Sequence, residues 1–143
     1  MLLVDANVLL HAVNAGAREH EAARRWLLDA LRRNEAVAFA WAVLLAFLRL
    51  STHPAVFPRP LTVEQAAGVL ELWLASPPAV IVEPTRRHLP LLRGLLARSG
   101  TAGNLVGDAH LAALALEYGA TIVSFNRDFT RFGGVAWQLP GGA

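Results

Sequence analysis

Apolar residues along this chain fall into short unbroken runs separated by longer stretches with helical spacing, a pattern that predicts strands alternating with helices. Leu2-Leu-Val4 reads as a first buried strand. It ends at Asp5, and Asn7 is placed to cap a helix over Val8 to Val13. A second helix is expected from about Arg18 to Arg33, with Ala23, Trp26, Leu27, Ala30 and Leu31 on one stripe. Val37 to Phe39 reads as a strand and Trp41 to Ser51 as a largely buried helix, stopped near Pro54. Thr62 and Gln65 form a capping box for a helix reaching about Ala75. Ser76-Pro-Pro78 breaks the chain before a strand at Val80 to Val82 and a helix from Arg86 or His88 to Arg98.

After a turn over Ser99 to Gly103, Asp108 to Tyr118 reads as a helix ended by Gly119 in the left-handed conformation. Thr121 to Ser124 is the next strand, Asn126 to Phe129 its exit loop, and Val135 to Trp137 a last short strand. No repeat and no long linker divides the chain, so residues 1–143 are expected to form one α/β domain around a mostly parallel sheet. In such sheets ligand-handling groups gather beyond the carboxyl ends of the strands. Asp5 ends the first strand, Ser124, Asn126 and Asp128 follow a late one, and Asp108 opens the helix before it. If those two strands are neighbours, these groups meet in one crevice.

Composition narrows what that crevice does. The chain has no cysteine, which excludes a disulfide framework and a thiolate zinc site and suits a reducing cytoplasm. A mean hydropathy of +0.40 is high. The longest uncharged apolar run, Ala36 to Leu48, is still short of the ~20 residues of a membrane span, and the N-terminus carries no secretion signal. All 13 basic residues are arginine, giving a pI near 10.4 at a net charge of only +2. Arginine suits phosphate contact, although a GC-rich codon bias produces the same composition. The arginines of the second helix fit a solvated face.

Asp5, Asp108 and Asp128, with no cysteine and no paired histidines, favour a hard cation such as Mg²⁺ or Mn²⁺. Such an ion activates water toward a phosphodiester. Each acid taken alone also fits a cap or turn, Asp108 and Asp128 more readily than Asp5. His11 and His110 fit packing roles on apolar helices, and His20, His53 and His88 fit surface or turn positions. Neither GxxxxGK[ST] nor GxGxxG occurs, which argues against a nucleotide cofactor. No serine has a nucleophile-elbow setting. A phosphatase of similar topology is disfavoured because Asp5-Ala-Asn7 lacks a second aspartate.

Three segments, LLVDANVLL at the start, VLLAFLRLSTHPAVF in the middle and DAHLAALALEYGATIVSFNRDF late, together resemble the PIN-domain family, and within it VapC-like toxins. The resemblance implies a three-layer α/β/α fold with four to five strands. It also implies an Mg²⁺- or Mn²⁺-dependent endoribonuclease acting on tRNA or other structured RNA, dimeric and inhibited by a VapB-like antitoxin. Carried over residue by residue, Asp5 and Asp108 match the metal-binding acids, and Asn7 and Ser124 match small polar residues that hold the cluster. Asn126 falls where the family varies between Asp and Asn, and Asp128 matches an acid two residues later. One position departs: Ala46 stands where many members carry a glutamate. Arg49, in the same segment, is a candidate for contact with RNA phosphate or a neighbouring carboxylate, or else an exposed helix end. Ala46 keeps open a second reading, a PIN-fold module that binds RNA or antitoxin with impaired catalysis. Trp26, Trp73 and Phe57 could offer the antitoxin a groove, with core packing as the competing role.

Overall fold

The strands are short, and the inner ones are buried across the core while the two at the edges are partly exposed. In the computed structural model they are β1 (Leu2–Val4), β2 (Val37–Ala40), β3 (Ala79–Val82), β4 (Thr121–Val123) and β5 (Trp137–Gln138). They form one sheet in the order β3-β2-β1-β4-β5, parallel at every pairing. Every residue of β2 is buried, so its sequence shows no alternation. The structure describes residues 1–100 and 103–141, so the middle of the expected Ser99-to-Gly103 turn and the end of the tail lie outside it.

Six helices connect the strands: α1 (Ala6–Val13), α2 (His20–Ala30), α3 (Trp41–Ser51), α4 (Val63–Leu74), α5 (His88–Ser99) and α6 (Val106–Tyr118). The chain steps outward from β1 through β2 to β3, then returns across the sheet to β4 and β5. With right-handed crossovers, the outward and returning helices cover opposite faces. The packing agrees: α1 lies against α2 and α3, α3 against α4, and α5 against α6. The result is the expected three-layer α/β/α arrangement. Phe39, Phe47, Phe129, Leu3 and Leu9 fill the core between the layers. Trp73 and Phe57 belong to the interior, with 8% and 4% exposure, and so offer no surface groove.

Several boundaries move for local reasons. Asp5, not Asn7, is the N-cap of α1: the backbone is extended at Asp5, and its carboxylate accepts a hydrogen bond from the Ala6 N–H. α2 is shorter than its apolar stripe because the chain still turns at Ala17 to His20, and Arg32 and Arg33 donate to Asp29 and Ala30, three residues back. β5 starts two residues late because the chain is still turning at Val135, whose N–H donates to Phe132. Gly119 ends α6 at φ 62°, a conformation that only glycine adopts without strain.

The capping box on α4 forms as expected. Gln65 N–H donates to Thr62 Oγ1 at 3.1 Å, and Thr62 N–H donates to Gln65 Oε1 at 3.0 Å. We expect Thr62→Ala to cost about 1 kcal/mol in urea unfolding. A loss below a few tenths would show that this helix end is held by its packing instead.

Candidate active site

The register of β1 against β4 pairs Val4 with Val123, so the next residues, Asp5 and Ser124, emerge side by side. The chain reverses its direction across the sheet between these two strands, where open parallel sheets bind ligands. Asp5 N–H donates to the Val123 carbonyl at 3.0 Å. Ser124 Oγ is fully enclosed and donates to Asp5 Oδ2 at 2.7 Å. It accepts in turn from Asn7 Nδ2 at 3.0 Å and from Asn126 N–H at 2.9 Å. Asn7 also donates to Asp5 Oδ2 at 3.3 Å and accepts from Phe125 N–H at 3.2 Å. Trp137 Nε1 donates to the Ser124 carbonyl at 3.1 Å and ties β5 to the cluster.

Asp108 joins from the first turn of α6. It does not cap that helix, since Leu105 occupies the cap with no side-chain bond. Its Oδ2 accepts from Asn126 Nδ2 at 3.3 Å. Asn126 is therefore the link between the two acids, bonded to Ser124 through its backbone and to Asp108 through its amide. Its Oδ1 accepts from Asp128 N–H at 3.0 Å, capping a 3-10 turn over Arg127–Arg131.

Burial acts on both acids, and charge acts on Asp108 as well. Burial pushes the Asp5 carboxyl above its usual pKa, against the opposing hydrogen bonds from Ser124 and Ala6. Burial also raises Asp108, helped by the charges of Asp5 and Asp128 and opposed by Asn126 and Arg131. Paired carboxylates raised in this way are neutralised by a shared proton or by a cation. Their hard oxygen donors fit a divalent ion such as Mg²⁺, which takes one or two carboxylates and fills its shell with water and substrate phosphate. Among the described residues, no group of three acidic or histidine side chains is arranged around one ion. Asp5 and Asp108 are the two carboxylates that the Ser124–Asn126 network joins.

The remaining candidates lie outside this network. The Asp128 carboxylate stands at the rim, 59% exposed and 3.8 Å from the Arg131 guanidinium, and acts on Asp108 through its charge. Arg49 is exposed in the last turn of α3, and among the described residues no ion pair joins it to an acid. A cleft of about 630 Å³ opens beside Leu2 and Thr121 at the starts of β1 and β4 and contains none of Asp5, Asp108 and Asp128. Ala46 lies midway along α3, partly exposed.

A second polar cluster was not foreseen. His88, expected at the surface, is only 8% exposed. Its Nδ1 lies 2.8 Å from Glu117 Oε2, and its Nε2 lies 2.9 Å from His110 Nδ1. Glu117 Oε1 accepts from the Thr85 hydroxyl and, at 3.1 Å, from the Thr85 N–H. His110 and Glu117 are seven residues apart on α6, two helical turns, and that spacing was the available signal. His110 follows Asp108 by two residues, so it leaves the opposite side of the helix. His11 sets its ring edge-on to Phe125 at 5.3 Å, a packing role.

A PIN domain family model matches residues 2–135. The chain is 53% identical over 140 residues to Ribonuclease VapC37 of Mycobacterium tuberculosis, covering 98% of this chain and 97% of that protein. Its fold is similar to that of VapBC2 from Rickettsia felis, solved bound to a DNA fragment from its promoter, with a TM-score of 0.71 at 19% identity over 96% and 97% of the two chains. It is also similar to VapC20 of Mycobacterium tuberculosis, described as a sarcin-ricin loop cleaving toxin, with a TM-score of 0.69 at 20% identity over 93% and 95%. The chain belongs to the PIN-domain family, in its VapC ribonuclease group.

Proposed function

We propose that this chain is the toxin of a toxin–antitoxin pair, an Mg²⁺-dependent endoribonuclease that hydrolyses structured RNA such as tRNA. The observation that carries this reading is the meeting of Asp5 and Asp108, both raised by burial, on a scaffold of Ser124, Asn7 and Asn126. VapC nucleases depend on a divalent metal, and the all-oxygen donor set here favours Mg²⁺ over zinc. Asp5 and Asp108 would hold the ion. When bound, it supplies a lowered pKa for water and an offset for charge on the scissile phosphate. Asn7 and Ser124 fix the orientation of Asp5, and Asn126 fixes Asp108 relative to it. Asp128 adds negative charge at the rim, where it biases the acids toward cation binding. A VapB-like antitoxin is the partner that inhibits it, and a homodimer is the proposed assembly. Among the described residues no helix is long and apolar enough to cross a membrane, and a cysteine-free nuclease of this kind suits the cytoplasm.

Two carboxylates also favour a second reading, a module that binds RNA or antitoxin but cleaves poorly. RNA cleavage by this chain beside its Ala46→Glu variant separates the two. We expect the chain to cleave tRNA, EDTA to stop it, and the added carboxylate to raise the rate at low Mg²⁺. Cleavage by the variant alone would sink the enzyme reading for this sequence.

A further inference from the structure

The hydrogen-bonded shelf of Asp5, Asn7, Ser124, Asn126 and Asp108 carries no positive side chain, although an RNA backbone brings negative charge to it. Arg131 ends the turn that Asn126 caps, and its guanidinium lies 3.8 Å from Asp128 Oδ1. We propose that Arg131 is a substrate-binding residue that grips an RNA phosphate beside Asp108, with Asp128 competing only weakly for its guanidinium. This inference rests on the ribonuclease reading of the same site.

Two observations carry it. First, Arg131 ends the 3-10 turn that Asn126 begins, and Asn126 is the residue bonded to Asp108. That turn is fixed along its length. Asp128 N–H donates to Asn126 Oδ1 at 3.0 Å, and Thr130 Oγ1 donates to the Arg127 carbonyl at 2.8 Å. Phe129 and Phe132, on either side of Arg131, are buried at 0% and 3% exposure. The backbone under Arg131 therefore holds a set position relative to Asp108.

Second, the side chain is uncommitted. Its partner Asp128 lies at 3.8 Å, well beyond the ~2.7–2.9 Å of a charge-assisted hydrogen bond. Both side chains are about half exposed, at 45% and 59%, so water screens the pair. A phosphate offers the guanidinium a bidentate contact that this arrangement does not. Arg127, on the same turn, is differently engaged: its guanidinium lies over the Trp137 ring at 5.8 Å.

The test uses the full chain with Asp5→Asn, so that binding is read without cleavage, and fluorescein-labelled bulk tRNA as the probe. Affinity is measured between 50 and 200 mM salt. One lost phosphate contact lowers the slope of log K against log salt by about 0.7–0.9. We expect Arg131→Ala to show that drop with roughly tenfold weaker binding at low salt, Arg131→Lys to recover the slope but not the full affinity, and Asp128→Asn to bind tighter. Circular dichroism melting should show Arg131→Ala folded like its parent, since the side chain is exposed. An unchanged slope in Arg131→Ala, with parent binding intact, overturns the assignment and leaves the ribonuclease reading standing. Failure of both proteins to bind tRNA at 50 mM salt overturns both.

Discussion

Asp5→Asn is expected to lower RNA cleavage by at least about 100-fold while changing folding stability by no more than about 1 kcal/mol. Loss of outer-shell partners of a metal already costs ~10–100-fold, and Asp5 is proposed as a ligand itself. The small stability change follows from two opposed effects. Asparagine removes a buried charge whose pKa is raised by burial, which relieves the folded state. It also places one amide N–H where the carboxylate accepts from Ser124 and Asn7, or from Ala6, and so loses a hydrogen bond. Asp5→Ala would lose the α1 cap as well and confuse activity with folding.

The same pKa shifts fix a pH signature. A carboxyl raised in the folded state binds its proton more readily folded than unfolded. Its contribution is therefore favourable at acid pH and is lost as pH rises past 3.8 through the raised folded values of Asp5 and Asp108. A divalent ion should restore that loss by binding the folded state alone. Adding Mn²⁺ or Mg²⁺ at pH 7.5 should raise the melting temperature of the chain and leave that of Asp5→Asn unmoved. Equal shifts in both proteins would place the ion elsewhere.

Glu117→Gln should cost about 1.5–3 kcal/mol, the range for a buried hydrogen bond to a charged group. The Glu117 side chain is 2% exposed and accepts from Thr85 and His88. Burial alone would raise its pKa. The bonds from Thr85 and His88 outweigh it, and the carboxyl sits below its ordinary range. With Nδ1–H of His88 given to Glu117, a neutral His88 accepts at Nε2 from Nδ1–H of His110. Burial, and then the neighbouring His88, hold His110 below its ordinary 6.5, while Glu117 opposes them.

The signs here run opposite to those of the aspartates. A depressed histidine leaves the unfolded chain to take up protons first, so stability is complete above pH 6.5 and drains as pH falls toward the lower folded value. Glu117 adds its own loss below 4.5, as pH falls through its folded pKa. Urea unfolding at pH 8, 6 and 5 checks this clamp between α5 and α6. Between pH 8 and pH 5 the parent should lose stability relative to His110→Gln, a comparison in which the opposite trend of Asp5 and Asp108 cancels. Equal changes in the two proteins would refute the coupling.

What the sequence disclosed follows from the range of the forces involved. The bounds of α3 were legible to the residue, because an apolar helix between a strand and a proline is set by local signals. Trp41 and Leu45 are nevertheless exposed, where a largely buried helix was expected. The meeting of Asp5 with Ser124 was legible as a condition, since both end apolar strands. It became definite only through the pairing of β1 with β4. Hydrogen-bond partners were the hardest to read. Asn7 has the chemistry of a cap, but its amide is spent on Ser124, 117 residues away. His88 looked peripheral because its partners, Glu117 and His110, lie on another helix. Asp128 looked equal to the other acids, and only the 3-10 turn shows its carboxylate directed to the rim.

The central place of β1 has a consequence for how such a protein is made. Asp5 is synthesised before its hydrogen-bond partner Ser124, which follows 119 residues later. A growing chain can join β1 to β2 early, but the other flank of β1 stays open until β4 is released. Contacts so distant in sequence also form late in folding. Until β4 docks, Asp5 lacks the Ser124 hydroxyl and Asp108 lacks the Asn126 amide, so the acidic site is assembled only after the span between β1 and β4 has been made.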